Sequence, residues 1–355
     1  MKDAVTISIA MATFNGERYL AEQLASFAEQ TRLPAELVIG DDGSTDGTIS
    51  VIEQFARHAP FAVRVHRNPQ NLGFADNFLM TAGRCSQRWI AFSDQDDVWN
   101  RDKLATASAA LQTARSGDIV AIGHRVDLVD GDLRPMGLSL PVNLRDRIVA
   151  RGTMPANWCH GGCALLFDGR LVRDIDWTRR PPNLYDWSKD GKPQQRQMAH
   201  DQWISLLANT VGSTRLLSAS LGLFRRHSGA TTGSHVVQFA DRLRSARAVD
   251  GAAYRQSASH ALAVADSLEG LASDISGTWA IEMTRMAERY RRRAERLAVR
   301  ARLYEPRSPV DGLRRVMRLM SSGAYGLDPV AALGPRALLK DSVQLVRWST
   351  QRRKD

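Results

Sequence analysis

Apolar segments alternate with amphipathic ones through the first hundred residues, and this alternation predicts strands and helices in turn. The apolar segments are rich in β-branched residues, which is typical of strands. They are 5–11, 36–40, 61–66 and 89–92. The helices predicted between them are 18–30, 49–57 and 74–84. Repeating units of about 30 residues in this order predict an α/β fold with a mostly parallel sheet flanked by helices.

Acidic turns follow two of the predicted strands. Asp94, Asp96 and Asp97 come directly after 89–92, and a second acidic turn, 41–48, follows 36–40. Adjacent buried carboxylates repel one another unless a cation lies among them. Mg²⁺ and Mn²⁺ prefer such oxygen ligands together with phosphates. A metal site and a simple acidic turn before the next helix both remain open at this point.

Four motifs in order resemble the nucleotide-sugar-binding half of the family 2 glycosyltransferases, which have the inverting GT-A fold. They are Thr13-Phe14-Asn15, Asp41-Asp42-Gly43-Ser44, Asn71-Leu72-Gly73 and Asp94-Gln95-Asp96-Asp97. The resemblance covers about residues 5–230, and 92–99 is most similar to bacterial rhamnosyltransferases of surface-polysaccharide synthesis. It implies a GT-A, Rossmann-like sheet and a metal-dependent, non-processive transfer of one sugar. The implied donor is a dTDP- or UDP-sugar, and the acceptor is a saccharide or a lipid-linked saccharide.

The resemblance also implies which residues bind the donor and the metal. Asp96 is the expected direct ligand of Mg²⁺ or Mn²⁺. Asp94 is expected to hold the donor ribose or a metal-bound water, and His227 to complete the metal or diphosphate shell. Asp42 is expected to accept a hydrogen bond from the pyrimidine base, and Arg225 to help neutralise the diphosphate. The other expected donor-binding residues are Thr13, Phe14, Asn15, Glu17, Asn71, Gly73, Gln95 and Arg226.

The expected catalytic base is Asp201, in the pair His200-Asp201 that precedes an apolar helix. Inverting transfer needs a carboxylate that removes the proton of the acceptor hydroxyl. This pair is similar to the family's acidic pair beside the acceptor, and Gly161-Gly162 is similar to its small-residue turn under the acceptor. The same Asp201 also suits a plain helix cap, so both interpretations remain open.

The predicted domains are a catalytic one at 1–235 and a basic, mainly helical region at 236–355. Residues 241–355 hold 22 Lys and Arg against 13 Asp and Glu. A helix predicted at 279–304 carries eight arginines. Two interpretations of this helix remain open: it contacts an anionic membrane peripherally, or it packs on the protein with its arginines in solvent. No nucleic-acid-binding motif accompanies the charge, so we expect no nucleic-acid partner.

Other features bear on location and on alternative functions. No segment is long and apolar enough to predict a transmembrane helix, and the chain enters its first strand without a secretory signal. The three cysteines, an odd count, favour a reducing compartment. We therefore expect a cytoplasmic protein, with peripheral membrane contact left open. A nucleotidyltransferase would need a Gly-rich basic loop, which 12–17 lacks, and a degenerate sugar-binding module would not need Asp94, Asp96 and Asp201.

Overall fold

The computed structural model describes residues 5–113, 118–156, 158–183, 197–227, 250–304 and 308–351. These residues form two compact units. Unit 1 comprises the described residues of 1–151, 158–178 and 186–234, and unit 2 comprises those of 152–157, 179–185 and 235–355. The boundary predicted at residue 235 lies outside the described residues and stays a prediction.

Strands of unit 1 form one mixed sheet, in the order β3-β2-β1-β4-β9-β6-β10-β5, with β7 on β6 and β8 on β10. They are β1 Ile7–Thr13, β2 Glu36–Asp41, β3 Ala62–Arg67, β4 Trp89–Ser93, β5 Val98–Trp99, β6 Ile119–Val129, β7 Pro135–Leu140, β8 Arg147–Val149, β9 Leu165–Asp168 and β10 Ser213–Arg225. The run β3-β2-β1-β4 is parallel, as predicted. Beyond β4 the sheet gains antiparallel neighbours through β9, which the alternation did not predict.

Helices of unit 1 connect these strands and bury one face each. They are α1 Glu17–Ala28, α2 Thr48–Ala56, α3 Phe74–Gly83, α4 Lys103–Thr113, α5 Arg170–Arg173 and α6 His200–Val211. Leu20, Leu24 and Phe27 of α1 are fully buried in the core that also holds Ile9 and Met11 of β1. The predicted α/β class is therefore confirmed, and the parallel strands end together at one edge of the sheet.

Unit 2 is helical within the described residues. Its helices are α7 Gly251–Asp274, α8 Thr278–Leu303, α9 Pro309–Ser321 and α10 Pro335–Gln351. The sequence predicted α8 to within one residue but missed α7, where Gly, Ala and Ser give no strong apolar stripe. No helix among the described residues is long and apolar enough to span a bilayer.

The arginines of α8 mostly bind acceptors within unit 2. Arg291 pairs with Glu269, and Arg300 forms a buried ion pair with Asp341 at 2.8 Å. Arg293 donates to the Val330 and Ala332 carbonyls at 3.1 and 3.0 Å, and Arg296 to the Ala331 carbonyl at 2.8 Å. Helix α8 is thus packed within unit 2, but these arginines bind protein acceptors instead of extending into solvent as the packed-helix interpretation expected.

Candidate functional site

The turns after β1 and β2 are joined by hydrogen bonds. Asn15 N donates to Ser44 Oγ at 2.9 Å, and the Asn15 side chain accepts from Thr45 N at 2.8 Å. Glu17 accepts from Gly47 N at 2.9 Å, and Thr13 Oγ1 donates to Asp41 at 2.9 Å. Three predicted donor-binding residues, Thr13, Asn15 and Glu17, therefore fix the shape of the turns.

Asp42 is buried and organises the loop that follows β3. Its carboxylate accepts from Asn68 Nδ2 at 3.0 Å, from Leu72 N at 2.8 Å and from Gly73 N at 2.9 Å. Asn71 Nδ2 donates to the Asp42 carbonyl at 3.1 Å. Because a carboxylate offers about four acceptor positions, one remains for a ligand. The contact predicted between Asp42 and a nucleotide base stays a prediction.

Gln95 ties the acidic segment to the first turn. Its side-chain oxygen accepts from Phe14 N at 2.9 Å, and its side-chain nitrogen donates to the Phe14 carbonyl at 3.1 Å. A Cβ on Gly16 would lie 2.3 Å from that oxygen, so any larger residue there would displace the Gln95 side chain. The side chain of Phe14 stays in solvent, with the residue 48% exposed. It is therefore the part of this turn that a ligand can cover.

The three carboxylates after β4 have different surroundings. Asp97 is buried, with one oxygen accepting from Arg225 N at 3.0 Å, while Oδ2 has no hydrogen-bond partner among the described residues. Asp96 Oδ2 lies 2.8 Å from His227 Nε2. Asp94 is partly exposed. The burial of the rest of the side chain, with the nearby charges of Asp96 and Asp201, raises the pKa of Asp94 to about 7.

Buried cations offset part of this negative charge. The Lys103 ammonium donates to the Cys163 carbonyl at 2.7 Å, and burial lowers its pKa to about 8 despite the nearby Asp97 and Asp94. Lys103 was not predicted from the sequence, although a lysine on an otherwise apolar face of α4 is a usable signal. Arg225 is buried and donates to the Asp96 carbonyl at 2.7 Å.

Arg225 was expected to help neutralise a donor diphosphate, and the structure corrects that interpretation. Its guanidinium also donates to the Gly131 carbonyl at 2.7 Å and pairs with Glu22. These contacts direct the side chain to protein acceptors. Arg226 is partly exposed, and its guanidinium carbon lies 5.4 Å from the centre of the Phe224 ring. Arg226 therefore remains the candidate diphosphate ligand at the end of β10.

Asp201 lies in the first turn of α6, partly exposed, and accepts from Gln202 N at 2.8 Å. The neighbouring His200 is buried and stacks on Phe78, with ring centres 4.0 Å apart. A Cβ on Gly162 would lie 2.6 Å from His200 Nε2. Gly162 and His200 thus set where α6 begins, while Gly161 is exposed beside them. Their predicted acceptor-site roles stay predictions.

The carboxylates fit a hard divalent cation. Ligand atoms of Asp94, Asp97 and Cys163 all lie within 4.8 Å of one another. Burial raises the pKa of the Cys163 thiol, and a protonated thiol is a poor ligand for Mg²⁺ or Mn²⁺. The unpartnered Asp97 oxygen and the raised pKa of Asp94 both indicate negative charge that a cation would offset. Of the predicted ligands, Asp94 belongs to this group, whereas Asp96 and His227 contact each other at 2.8 Å. The roles of these three residues as metal ligands stay predictions.

Comparison with known proteins connects this arrangement to one family. The family model described as glycosyl transferase family 2 matches residues 8–169. An uncharacterized glycosyltransferase of Nostoc sp. is 36% identical over 230 residues, which are 62% of this chain and 65% of that protein. The dTDP-rhamnosyl transferase RfbG of Shigella flexneri is 37% identical over 105 residues, 28% of this chain and 36% of RfbG. The chain therefore spans less than two thirds of both relatives.

A further relative and one solved structure complete the comparison. EpsE of Bacillus subtilis, which is named as a glycosyltransferase, is 30% identical over 192 residues, covering 53% of this chain and 67% of EpsE. The crystal structure of S. aureus TarS 1–349 in complex with UDP aligns with a TM-score of 0.51 at 18% identity, over 91% of this chain and 93% of that one. At this identity the likeness confirms the fold alone.

Gly162→Ala should destabilise unit 1, because its Cβ would overlap His200 and displace the start of α6. Overpacking of a buried position typically costs about 1–3 kcal/mol. The matched control is Gly161→Ala, whose Cβ would meet its nearest neighbour, Cys163 Sγ, at 4.0 Å. Urea denaturation of both variants checks this, and equal stability of the two would contradict it.

Proposed function

Because this chain belongs to the glycosyl transferase family 2, we propose that it transfers one sugar from a nucleoside-diphosphate sugar to an acceptor hydroxyl. The observation that carries the proposal is the acidic segment after β4, where Asp97 Oδ2 has no hydrogen-bond partner among the described residues and Asp96 contacts His227. The pKa of Asp94 there is raised by burial, by Asp96 and by Asp201, which lies in the first turn of α6. Asp94 and Asp96 suit a metal-bound diphosphate, and Asp201 suits an acceptor hydroxyl. A sugar transfer with a nucleotide leaving group needs both at one edge of the sheet.

The proposed donor is a dTDP- or UDP-sugar, with rhamnose as the favoured sugar. Similarity to the dTDP-rhamnosyl transferase supports the rhamnose assignment, and it covers 28% of this chain. The base would lie against Phe14, in the pocket framed by Thr13, Asn15 and Asp42. Arg226 would contact the diphosphate, since guanidinium groups bind phosphate oxygens in pairs. The acceptor is proposed to be a saccharide or lipid-linked saccharide of surface-polysaccharide synthesis, in the cytoplasm.

A divalent cation, Mg²⁺ or Mn²⁺, would supply Lewis-acid stabilisation of the departing nucleoside diphosphate. Asp94 and Asp96 would hold it, with His227 beside Asp96. Arg225 holds the acidic segment through Asp97 and the Asp96 carbonyl, and the Lys103 charge lies nearby on the buried side. Gln95 fixes the same segment to the turn that frames the base. These contacts would fix the acidic segment before a diphosphate binds.

Asp201 would act as the general base. It lies in the first turn of α6 and is partly exposed, so an acceptor hydroxyl could reach it. From there it would take the proton of the acceptor hydroxyl as that oxygen attacks the anomeric carbon. A single in-line displacement inverts the configuration at that carbon. Asp201 is not part of the proposed metal ligand set, so it stays free to accept the proton.

We expect a dTDP- or UDP-sugar, tested with Mn²⁺ present, to raise the thermal stability of the protein. A ligand that binds only the native state adds about 2.7 kcal/mol at a hundredfold excess over its dissociation constant. The measurement is a thermal-shift panel of UDP-, dTDP- and GDP-sugars. A shift with GDP-sugars alone would contradict the pyrimidine assignment, and no shift with any donor would contradict the proposed function.

Asp96→Asn should abolish turnover and metal-dependent donor binding while the fold stays stable, because it removes a charged oxygen ligand without changing size. Donor binding by calorimetry with and without Mn²⁺ checks this. Asp102→Asn, the same change at an exposed position before α4, is the matched control and should behave as wild type. Unchanged turnover in the Asp96 variant, or in excess EDTA, would refute the metal assignment.

Asp201→Asn should leave donor and metal affinity near wild type and slow transfer by about 10²-fold or more, the usual scale of general-base catalysis. Steady-state transfer rates and donor titrations on the same preparation separate the two effects. If donor affinity falls in step with the rate, Asp201 belongs to the donor site or supports the fold.

A further inference from the structure

Helix α9 of unit 2 exposes an apolar stripe. Val310, Leu313, Met317 and Met320 are each at least 50% exposed, whereas Val316 and Leu319 are buried and hold the helix on unit 2. At about 100° per residue, the four exposed positions lie within about 80° of the helix circumference. The stripe is therefore continuous along the helix, and about half or more of each of its side chains is exposed.

An arginine-rich cleft of about 270 Å³ lies beside this stripe. Its lining residues are Val299, Arg302, Asp311, Arg314, Arg315 and Arg318. Asp311 pairs with Arg315 at 2.7 Å, which neutralises one of the four arginines. Within the described part of the chain, no ion pair joins Arg302, Arg314 or Arg318 to a carboxylate. The cleft therefore presents uncompensated positive charge.

The stripe and the cations share one exposed face. On the helix circumference Arg314 and Arg318 follow directly after Val310, on the side away from Met320. This places cations along one border of the apolar stripe. Three arginines of α8 differ, since Arg291, Arg293 and Arg296 are already bound to acceptors in unit 2. Arg302 of α8 lines the same cleft as Arg314 and Arg318, so exposed positive charge adjoins the apolar stripe of α9.

We propose that this α9 face, comprising the four stripe residues with Arg314 and Arg318, docks on an anionic phospholipid bilayer. The apolar side chains would enter the boundary between headgroups and acyl chains, and the arginines would bind lipid phosphates. Charge complementarity selects this occupant. A second copy docked symmetrically on the same patch would bring like-charged arginines together. The proposal does not depend on the transferase reaction.

The test is co-sedimentation of the full chain with vesicles. Wild type should bind vesicles of equal parts phosphatidylcholine and phosphatidylglycerol at low salt, and not vesicles of phosphatidylcholine alone. It should be released in about 1 M salt, where screening acts over about 3 Å. The double variant Leu313→Ser with Met317→Ser, and the double variant Arg314→Gln with Arg318→Gln, should each weaken binding by about tenfold or more.

Matched controls make the same changes elsewhere in unit 2. Leu262→Ser with Ile281→Ser removes two exposed apolar side chains from α7 and α8, and Arg285→Gln with Arg292→Gln removes two charges from α8. Both controls should bind vesicles as wild type does. Three results would overturn the proposal: no binding of wild type to anionic vesicles at low salt, equal weakening by the controls, or a wild-type dimer that the Leu313 and Met317 changes convert to a monomer by sedimentation equilibrium.

Discussion

Negative charge crowded at the end of β4 is the constraint on which the rest of the site depends. Asp97 is buried, and Asp94 has a pKa raised to about 7 by burial and neighbouring carboxylates. The buried Lys103 ammonium offsets part of this charge, and Arg225 holds the segment through its backbone N–H to Asp97 and its guanidinium to the Asp96 carbonyl. The offset is partial, since Asp97 Oδ2 keeps no partner among the described residues. The remaining charge is what suits the site to a divalent cation and a phosphate ligand.

Many residues expected to bind the donor use their polar atoms to hold one another. Asn15 and Glu17 hold the turn after β2, Asp42 holds the loop before α3, and Gln95 holds Phe14. A site whose loops are fixed before the ligand arrives loses less conformational freedom on binding. The groups left partly or fully exposed, such as Phe14, are those available to a ligand.

Net charge alone did not identify the α9 face as the surface of unit 2 that we propose docks on an anionic bilayer. Helix α8 has more arginines, but much of their hydrogen-bonding capacity is used within unit 2, as Arg291 and Arg293 show. Helix α9 has fewer arginines, but two of them, Arg314 and Arg318, form no ion pair with a carboxylate among the described residues. Whether an arginine is available depends on its neighbours in the fold, which a count along the chain does not contain.

The sequence by itself determined the first half of the sheet, the acidic turns and the family. The hydrophobic periods of strands and helices are local features of the sequence. Because the carboxyl ends of parallel strands lie at the same edge of a sheet, the order of elements alone assigned Asp42 and Asp96 to one edge. The tertiary structure decided which carboxylates are buried, that Lys103 lies beneath them, and that Arg225 points inward. It also placed His200 against Gly162. These facts depend on contacts between residues distant in the chain, which no local pattern records.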